Sequence, residues 1–192
     1  MRTRGLLTLL TGCMFSGKTT ELLRRVAAAG SVQVFKHAMD DRYRRDAVVT
    51  HTGELTDAEV VRGADEIAAK VHAGTRLVAI DEAHFFEIEL CTVIDTLRSR
   101  GVDLIVTALD RGSWGQRFPV VDRLLELADE CVQKFAVCAQ CGGRAEWTQR
   151  LTPIIEGRLV GGPEAYEPRC ARCWHAPREA APNEECRIAN GE

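Results

Sequence analysis

The stretch Leu6 to Thr20, LLTLLTGCMFSGKTT, restricts what this chain can fold into more than any other. Gly12-Cys13-Met14-Phe15-Ser16-Gly17-Lys18-Thr19 satisfies G-x-x-x-x-G-K-[ST] at every specified position and follows an apolar run that reads as a strand. A phosphate needs donors from several directions at once, and glycines let the backbone curl until successive N–H groups face one anion. Lys18 would reach the outer phosphates and Thr19 would offer a hydroxyl to Mg²⁺. The helix predicted over Thr20 to Ala29 turns its positive end toward the same anion. The loop therefore implies nucleotide binding, and the strand-loop-helix order implies an α/β fold.

The following segments extend that order. Val32 to Lys36 reads as a strand, and His37 to Asp46 (HAMDDRYRRD) as a charged loop over the site or a solvated surface loop. Thr50 to Gly53 reads as a turn. Asp57 to Ala73 has helical spacing, with Gly63 as a weak point. Arg76 to Ile80 is a wholly apolar strand of the kind buried on both faces of a parallel sheet, and it ends in Asp81-Glu82. A carboxylate at that strand end can hold a nucleotide's Mg²⁺, which makes Asp81 the candidate. Glu82 is placed to act as a general base toward a hydroxyl or water, although such a pair also serves to start a helix. A helix over Leu90 to Arg100, a strand over Asp103 to Leu109, a helix from Val121 to Ala128 and a last strand over Cys131 to Val137 complete the alternation. Right-handed crossovers then require a mainly parallel sheet with helices on both faces. In the loop Asp110 to Pro119, Trp114 and Phe118 could stack on a base or anchor the loop in the core.

Cysteine usage defines a second region. Of eight cysteines, four form Cys138-x-x-Cys141 and Cys170-x-x-Cys173, the paired knuckles that deliver thiolates into the tetrahedral geometry of Zn²⁺. Four protein ligands leave no open position, so the site reads as structural, and metal binding would supply the folding energy of a lobe too short for its own core. Cys91 and Cys131 read as small buried hydrophobes, and nothing near Cys13 marks it as a nucleophile. The expected organisation is a nucleotide-binding domain over 1–137, a zinc-bound lobe over 138–175 and a polar, proline-bearing tail over 176–192.

Composition narrows the partners. A formal charge of -3 gives no electrostatic case for nucleic acid as the main partner, and no apolar run approaches a membrane span. We therefore expect neither nucleic acid nor membrane as a partner, and a cytoplasmic protein. Phosphate loop, magnesium carboxylate and base define phosphoryl transfer without naming the acceptor, since water and a substrate hydroxyl both fit. A stapled loop that can close over a small molecule favours a kinase.

Taken together, GCMFSGKTTELLRR, FKHAMDDRY, VAIDEAHFF, ALD followed by RFP, AEWTQR, VCAQC and LVGGPEAYEPRCARC resemble the thymidine kinases of the tetrameric, zinc-containing type. The resemblance spans most of the chain. It implies ATP:thymidine 5′-phosphotransferase activity for nucleotide salvage, accepting deoxyuridine as well, with Glu82 taking the proton from the 5′-hydroxyl. It places Gly12 to Thr20, Asp40, Arg42 and Asp81 at ATP and Mg²⁺. Met14, Leu109, Phe118, Thr148, Gly161, Gly162 and Tyr166 would fall at thymidine, under a lasso clipped by the zinc site. A homotetramer and feedback inhibition by thymidine triphosphate follow by the same resemblance. Two positions depart from the family's usual pattern: His84 stands where glutamine is common, and Ser113 precedes Trp114 where a phenylalanine is common.

Overall fold

The computed structural model describes residues 4–40, 47–49, 55–153 and 161–178. The segment holding Arg42, the turn at 50–53 and the chain beyond 178 lie outside the described residues. In chain order the elements are β1 (Leu7–Thr11), α1 (Lys18–Ala27), β2 (Val32–His37), β3 (Ala47–Val49), β4 (Leu55–Asp57), β5 (Glu59–Val61), α2 (Ala64–Lys70), β6 (Leu77–Asp81), a 3₁₀ turn (Ala83–Phe85), α3 (Glu89–Ser99), β7 (Asp103–Ala108), α4 (Pro119–Leu127), β8 (Glu130–Gln133), β9 (Ala136–Val137), β10 (Arg144–Ala145), β11 (Trp147–Arg150) and β12 (Tyr166–Arg169).

Six strands form one sheet in the order β5-β2-β6-β7-β1-β8, and every pairing within it is parallel. Period-two alternation divides each strand between two cores. Leu7, Leu9, Val78, Ile80, Leu104 and Val106 pack with Ile67 of α2, Ile94 of α3 and Val121 and Leu124 of α4. Their neighbours Leu10, Leu77, Ala79 and Ile105 point the other way, onto Leu22, Leu23 and Val26 of α1. Both faces are thus covered, as the continuous apolar runs of β1 and β6 require. At the amino-terminal edge, the buried Arg98 donates to Gly5 O at 3.1 Å, to Leu127 O at 2.9 Å and to Asp129 Oδ2 at 2.5 Å, tying β1, α4 and β8 together. The opposite edge is left to the loops that carry chemistry.

Three expectations from the sequence are corrected. The helix expected over Asp57 to Ala73 is an edge strand followed by a short helix. The β-branched Val60 and Val61 pair in register with Lys36 and His37, and Gly63 stands in extended conformation at the start of α2. The strand expected over Cys131 to Val137 is split: Lys134 N–H donates to Thr11 O at 2.7 Å, the last bond to β1, and β9 then pairs antiparallel with β10. Cys131 is exposed, because it stands on the sheet's outermost strand. Among the described residues no helix is long and apolar enough to cross a membrane.

Candidate active site

β1 enters the phosphate loop at Gly12, whose φ of +142° is open to glycine; a Cβ there would stand 2.2 Å from Lys134 O and 2.9 Å from Ser16 Oγ. Phe15 adopts φ 63°, an uncommon left-handed conformation for a bulky residue, and Gly17 follows at φ 80°. This sequence of turns curls the loop tightly enough that Lys18 Nζ donates to Cys13 O at 2.8 Å. Ser16 Oγ is buried with no hydrogen-bond partner among the described residues, which fits a loop built to receive phosphate oxygens. The Cys13 thiol donates to Ala145 O at 3.6 Å, and burial pushes its pKa up against the pull of Lys18, so it stays protonated and unreactive.

Two strands away, β6 delivers Asp81 to the same edge. Thr19 Oγ1 lies 3.4 and 3.5 Å from the two Asp81 carboxylate oxygens, leaving hard oxygen donors from loop and strand side by side. That donor set fits Mg²⁺. Thr107 of β7 is fully buried; its hydroxyl donates to Asp81 Oδ1 at 2.5 Å and accepts the Glu82 N–H at 2.9 Å. One hydroxyl thus fixes both acidic residues. Glu82 is held at φ 55°, ψ 50°, a conformation that costs a non-glycine residue ~1–3 kcal/mol and persists only where surrounding structure imposes it.

The acceptor side grows from the turn after β6 and the loop after β7. His84 Nδ1 accepts the Leu109 N–H at 3.2 Å and stands 3.3 Å from Glu82 Oε2, a contact that becomes an ion pair only on ring protonation. The imidazole also packs against Phe85 and Phe118, with ring centroids 4.4 and 5.2 Å away. Phe118 is buried and packs with the core cluster that also holds Val120 and Val121. Asp110, next along, feels both Lys18 and Arg111; burial raises its pKa while those cations lower it.

The small lobe meets the phosphate loop directly. Met14 N–H donates to Thr148 Oγ1 at 3.1 Å, and Ala145 receives the Cys13 thiol. β11 pairs antiparallel with β12, setting Thr148 opposite Pro168 and Arg150 opposite Tyr166. Tyr166 is buried, and its hydroxyl accepts from Arg150 Nη1 at 2.5 Å. Gly162 O accepts the N–H groups of Ala165 and Tyr166 in a tight turn, and a Cβ on Gly161 would meet Ala165 Cβ at 2.8 Å. Gly161, Gly162 and Tyr166 are therefore gathered within the lobe, whereas Leu109 and Phe118 belong to the sheet edge. Asp40 is buried two residues from Arg42, which itself lies outside the described residues.

The sulfurs of Cys138, Cys141, Cys170 and Cys173 lie within 4.8 Å of one another, and Cys141 Sγ is 3.6 Å from Cys170 Sγ. Four thiols at such spacing match the edges of a tetrahedral thiolate site, so the donor set fits Zn²⁺. Burial opposes ionisation of Cys138, but N–H groups of Cys170, Cys141 and Gln140 outweigh it and draw its pKa down to about 6. Cys173 is pushed up to about 12, chiefly because Cys170 holds its proton in a hydrogen bond. Burial opposes ionisation of Cys170 as well, but hydrogen bonds from Cys173 and Cys141 outweigh it and draw Cys170 below its ordinary value.

Sequence reasoning missed Thr107, Asp110, Arg111 and the part taken by Trp174. Asp110 carried a usable signal, since it follows a buried strand as Asp81 does. Thr107 carried none: a threonine within a β-branched strand is ordinary, and only the neighbouring strand reveals what its hydroxyl holds.

A phosphate loop after the first strand, a magnesium-competent carboxylate on the second strand over and a left-handed acidic residue beside it define a P-loop phosphoryl-transfer protein. The family model for thymidine kinase matches residues 5–174, and the chain belongs to that family. Among solved structures, an ATPase of Legionella pneumophila, DotB, superposes with a TM-score of 0.43 at 16% identity, covering 75% of this chain and 44% of the ATPase. The chain thus spans less than half of that protein's length.

Proposed function

We propose that this kinase transfers the γ-phosphoryl group of ATP to the 5′-hydroxyl of thymidine, and of deoxyuridine, with Mg²⁺ as the catalytic ion and Zn²⁺ as a structural one. The observation that carries the reading is the Thr107 hydroxyl, which fixes Asp81 and Glu82 at once, with Thr19 3.4 Å from Asp81. Lys18 and the loop N–H groups would receive the β- and γ-phosphates, Lys18 exchanging the Cys13 carbonyl for phosphate oxygen. Thr19 and Asp81 would hold Mg²⁺, which when bound neutralises charge building on the transferring group. Glu82 would accept the 5′-hydroxyl proton as the oxygen attacks phosphorus. Asp40 and Arg42 complete the phosphate side of this reading.

On the acceptor side, Met14, Leu109, Phe118, Thr148, Gly161, Gly162 and Tyr166 would enclose the thymine. The contact of Met14 with Thr148 supports that grouping, because it brings lobe and phosphate loop to one place. The four cysteines would hold zinc and keep the lobe folded. A cytoplasmic homotetramer restrained by thymidine triphosphate belongs to the same reading and rests on family membership alone. The test is transfer of labelled phosphate from ATP to a panel of nucleosides with Mg²⁺. Label is expected on thymidine and deoxyuridine; phosphate released to water regardless of nucleoside would overturn the reading.

A further inference from the structure

The zinc-binding lobe touches the loop after β7 through an aromatic stack to which the reading above gives no part. Trp147 and Trp174 lie with ring centroids 4.3 Å apart and planes 27° from parallel. Arg111 places its guanidinium carbon 4.3 Å from the Trp147 centroid. Both neighbours sit about one stacking distance from the same ring, so Trp147 is where the lobe and the loop after β7 meet. Gly115 closes the contact from the loop side. Its φ is +83°, and a Cβ there would stand 3.2 Å from Trp147 and 3.5 Å from Trp174. The loop is itself stiffened by Gly112 N–H to Gln116 O and Gly115 N–H to Gly112 O, both 2.9 Å.

What this stack connects gives it a role. Trp174 directly follows the last cysteine of the cluster, and its N–H is tied to Cys170 O at 2.9 Å. Trp147 directly precedes Thr148, which receives the Met14 N–H. At the other end the clamped loop begins beside Leu109 and ends at Phe118, both neighbours of His84. An indole pair is large, flat and poorly compressible, so displacing one ring displaces whatever leans on it.

We propose that the Trp147–Trp174 stack, capped by Arg111 and seated on Gly115, is a positioning element through which the four-cysteine site sets the loop 110–118, so that the state of the cluster is read in the affinity for thymidine. The proposal rests on the reading that Leu109 and Phe118 face the acceptor. Trp147, Trp174 and Gly115 contact no reacting atom; they act through the loop. Their loss raises KM for thymidine while the nucleotide half, held by β1 and α1, keeps its affinity.

The test uses Trp174→Leu, Trp147→Leu and Gly115→Ala in the full chain, with Trp174→Phe as the conservative variant and Leu109→Ala as the reference for the acceptor reading. We expect KM for thymidine to rise about tenfold in the first three, the size of effect a small misplacement of a substrate-positioning group produces. KM for ATP should stay within about twofold, zinc content should stay at the wild-type value, and Trp174→Phe should recover most of the loss. A readout independent of turnover is the exciton couplet of the stacked indoles in circular dichroism, which should collapse when a chelator strips zinc from the wild-type holoprotein while helix signal persists. If Leu109→Ala raises KM for thymidine but Trp174→Leu does not, the coupling is wrong and the acceptor reading stands. If neither variant changes KM, both fail. A couplet that survives zinc removal also overturns the proposal, because the stack would then be set by something other than the cluster.

Discussion

Met14 and Thr148, 134 positions apart, are joined by one hydrogen bond of 3.1 Å from the Met14 backbone N–H to the Thr148 hydroxyl. The donor belongs to the phosphate loop and the acceptor to the cysteine-clipped lobe. The bond is buried, so its loss leaves an amide with neither water nor protein to satisfy it.

Thr148→Val keeps the shape and removes the acceptor. A buried donor left unsatisfied costs ~1–3 kcal/mol, so thermal unfolding should shift down by several degrees. If the acceptor pocket lies where we propose, KM for thymidine should rise about tenfold as well. Thr148→Ser, which retains the hydroxyl, should recover most of both effects. A Val variant that behaves as wild type beside an impaired Ser variant would show that the methyl group matters and the hydrogen bond does not.

Glu82→Gln removes the proposed base with minimal change of volume, and the backbone of residue 82 remains tied to Thr107. Turnover should fall by ~10²–10⁴-fold, the usual contribution of general-base assistance, while ATP affinity measured by equilibrium binding stays within about twofold. Full turnover would remove Glu82 from that role.

Thr107→Val should loosen both acidic residues at once, since their shared hydroxyl disappears. The expected signature is a Mg²⁺ concentration for half-maximal rate raised about tenfold, as for loss of an outer partner that orients a metal ligand. A change in thymidine KM with unchanged Mg²⁺ dependence would contradict the assignment of Asp81 to the metal.

His37 gives a pH signature in stability. Its Nε2 lies 3.0 Å from Arg62 O and its Nδ1 accepts the Met39 N–H at 3.1 Å, an arrangement that needs the neutral ring. Burial, the largest cause, lowers its pKa below the ordinary value, against the opposing pull of Arg62 O, Asp40 and Glu66. A depressed histidine pKa means the unfolded chain binds more protons in acid, so stability rises with pH. The contribution is complete above about pH 6.5, the unfolded value, and is lost as pH falls below it, by at most ~1.4 kcal/mol per pH unit. Denaturant midpoints between pH 7.5 and 5 should show this fall, and His37→Asn should flatten it. An unchanged slope in that variant would assign the pH dependence to other groups.

The parts of the site that were legible in sequence are those whose chemistry is local. Gly12 to Thr19 must curl around an anion because its glycines sit where left-handed or close-packed backbone is needed. Asp81 was visible because a charged residue ends a run that is otherwise wholly apolar. The two cysteine pairs were visible because C-x-x-C spacing is itself a metal-ligand geometry. The stretch from Asp57 misled because Val60, Val61 and Ala64 satisfy a helical period as readily as a strand followed by a helix, and pairing with β2 decides between them. Cys131 misled because edge position is a property of the sheet, unreadable in the strand.

The sequence by itself determined the phosphate loop, the alternation that makes a parallel sheet and the four thiol ligands, since each depends on residues close together in the chain. Only the tertiary structure decided that Thr107 would hold Asp81 and Glu82, that His84 would carry the Leu109 amide, and that Thr148 and Trp147 would brace loops more than thirty residues away. Those relationships are set by strand order and lobe docking. Side chains meet there because the chain is folded, and no spacing within it records which partners the fold will choose.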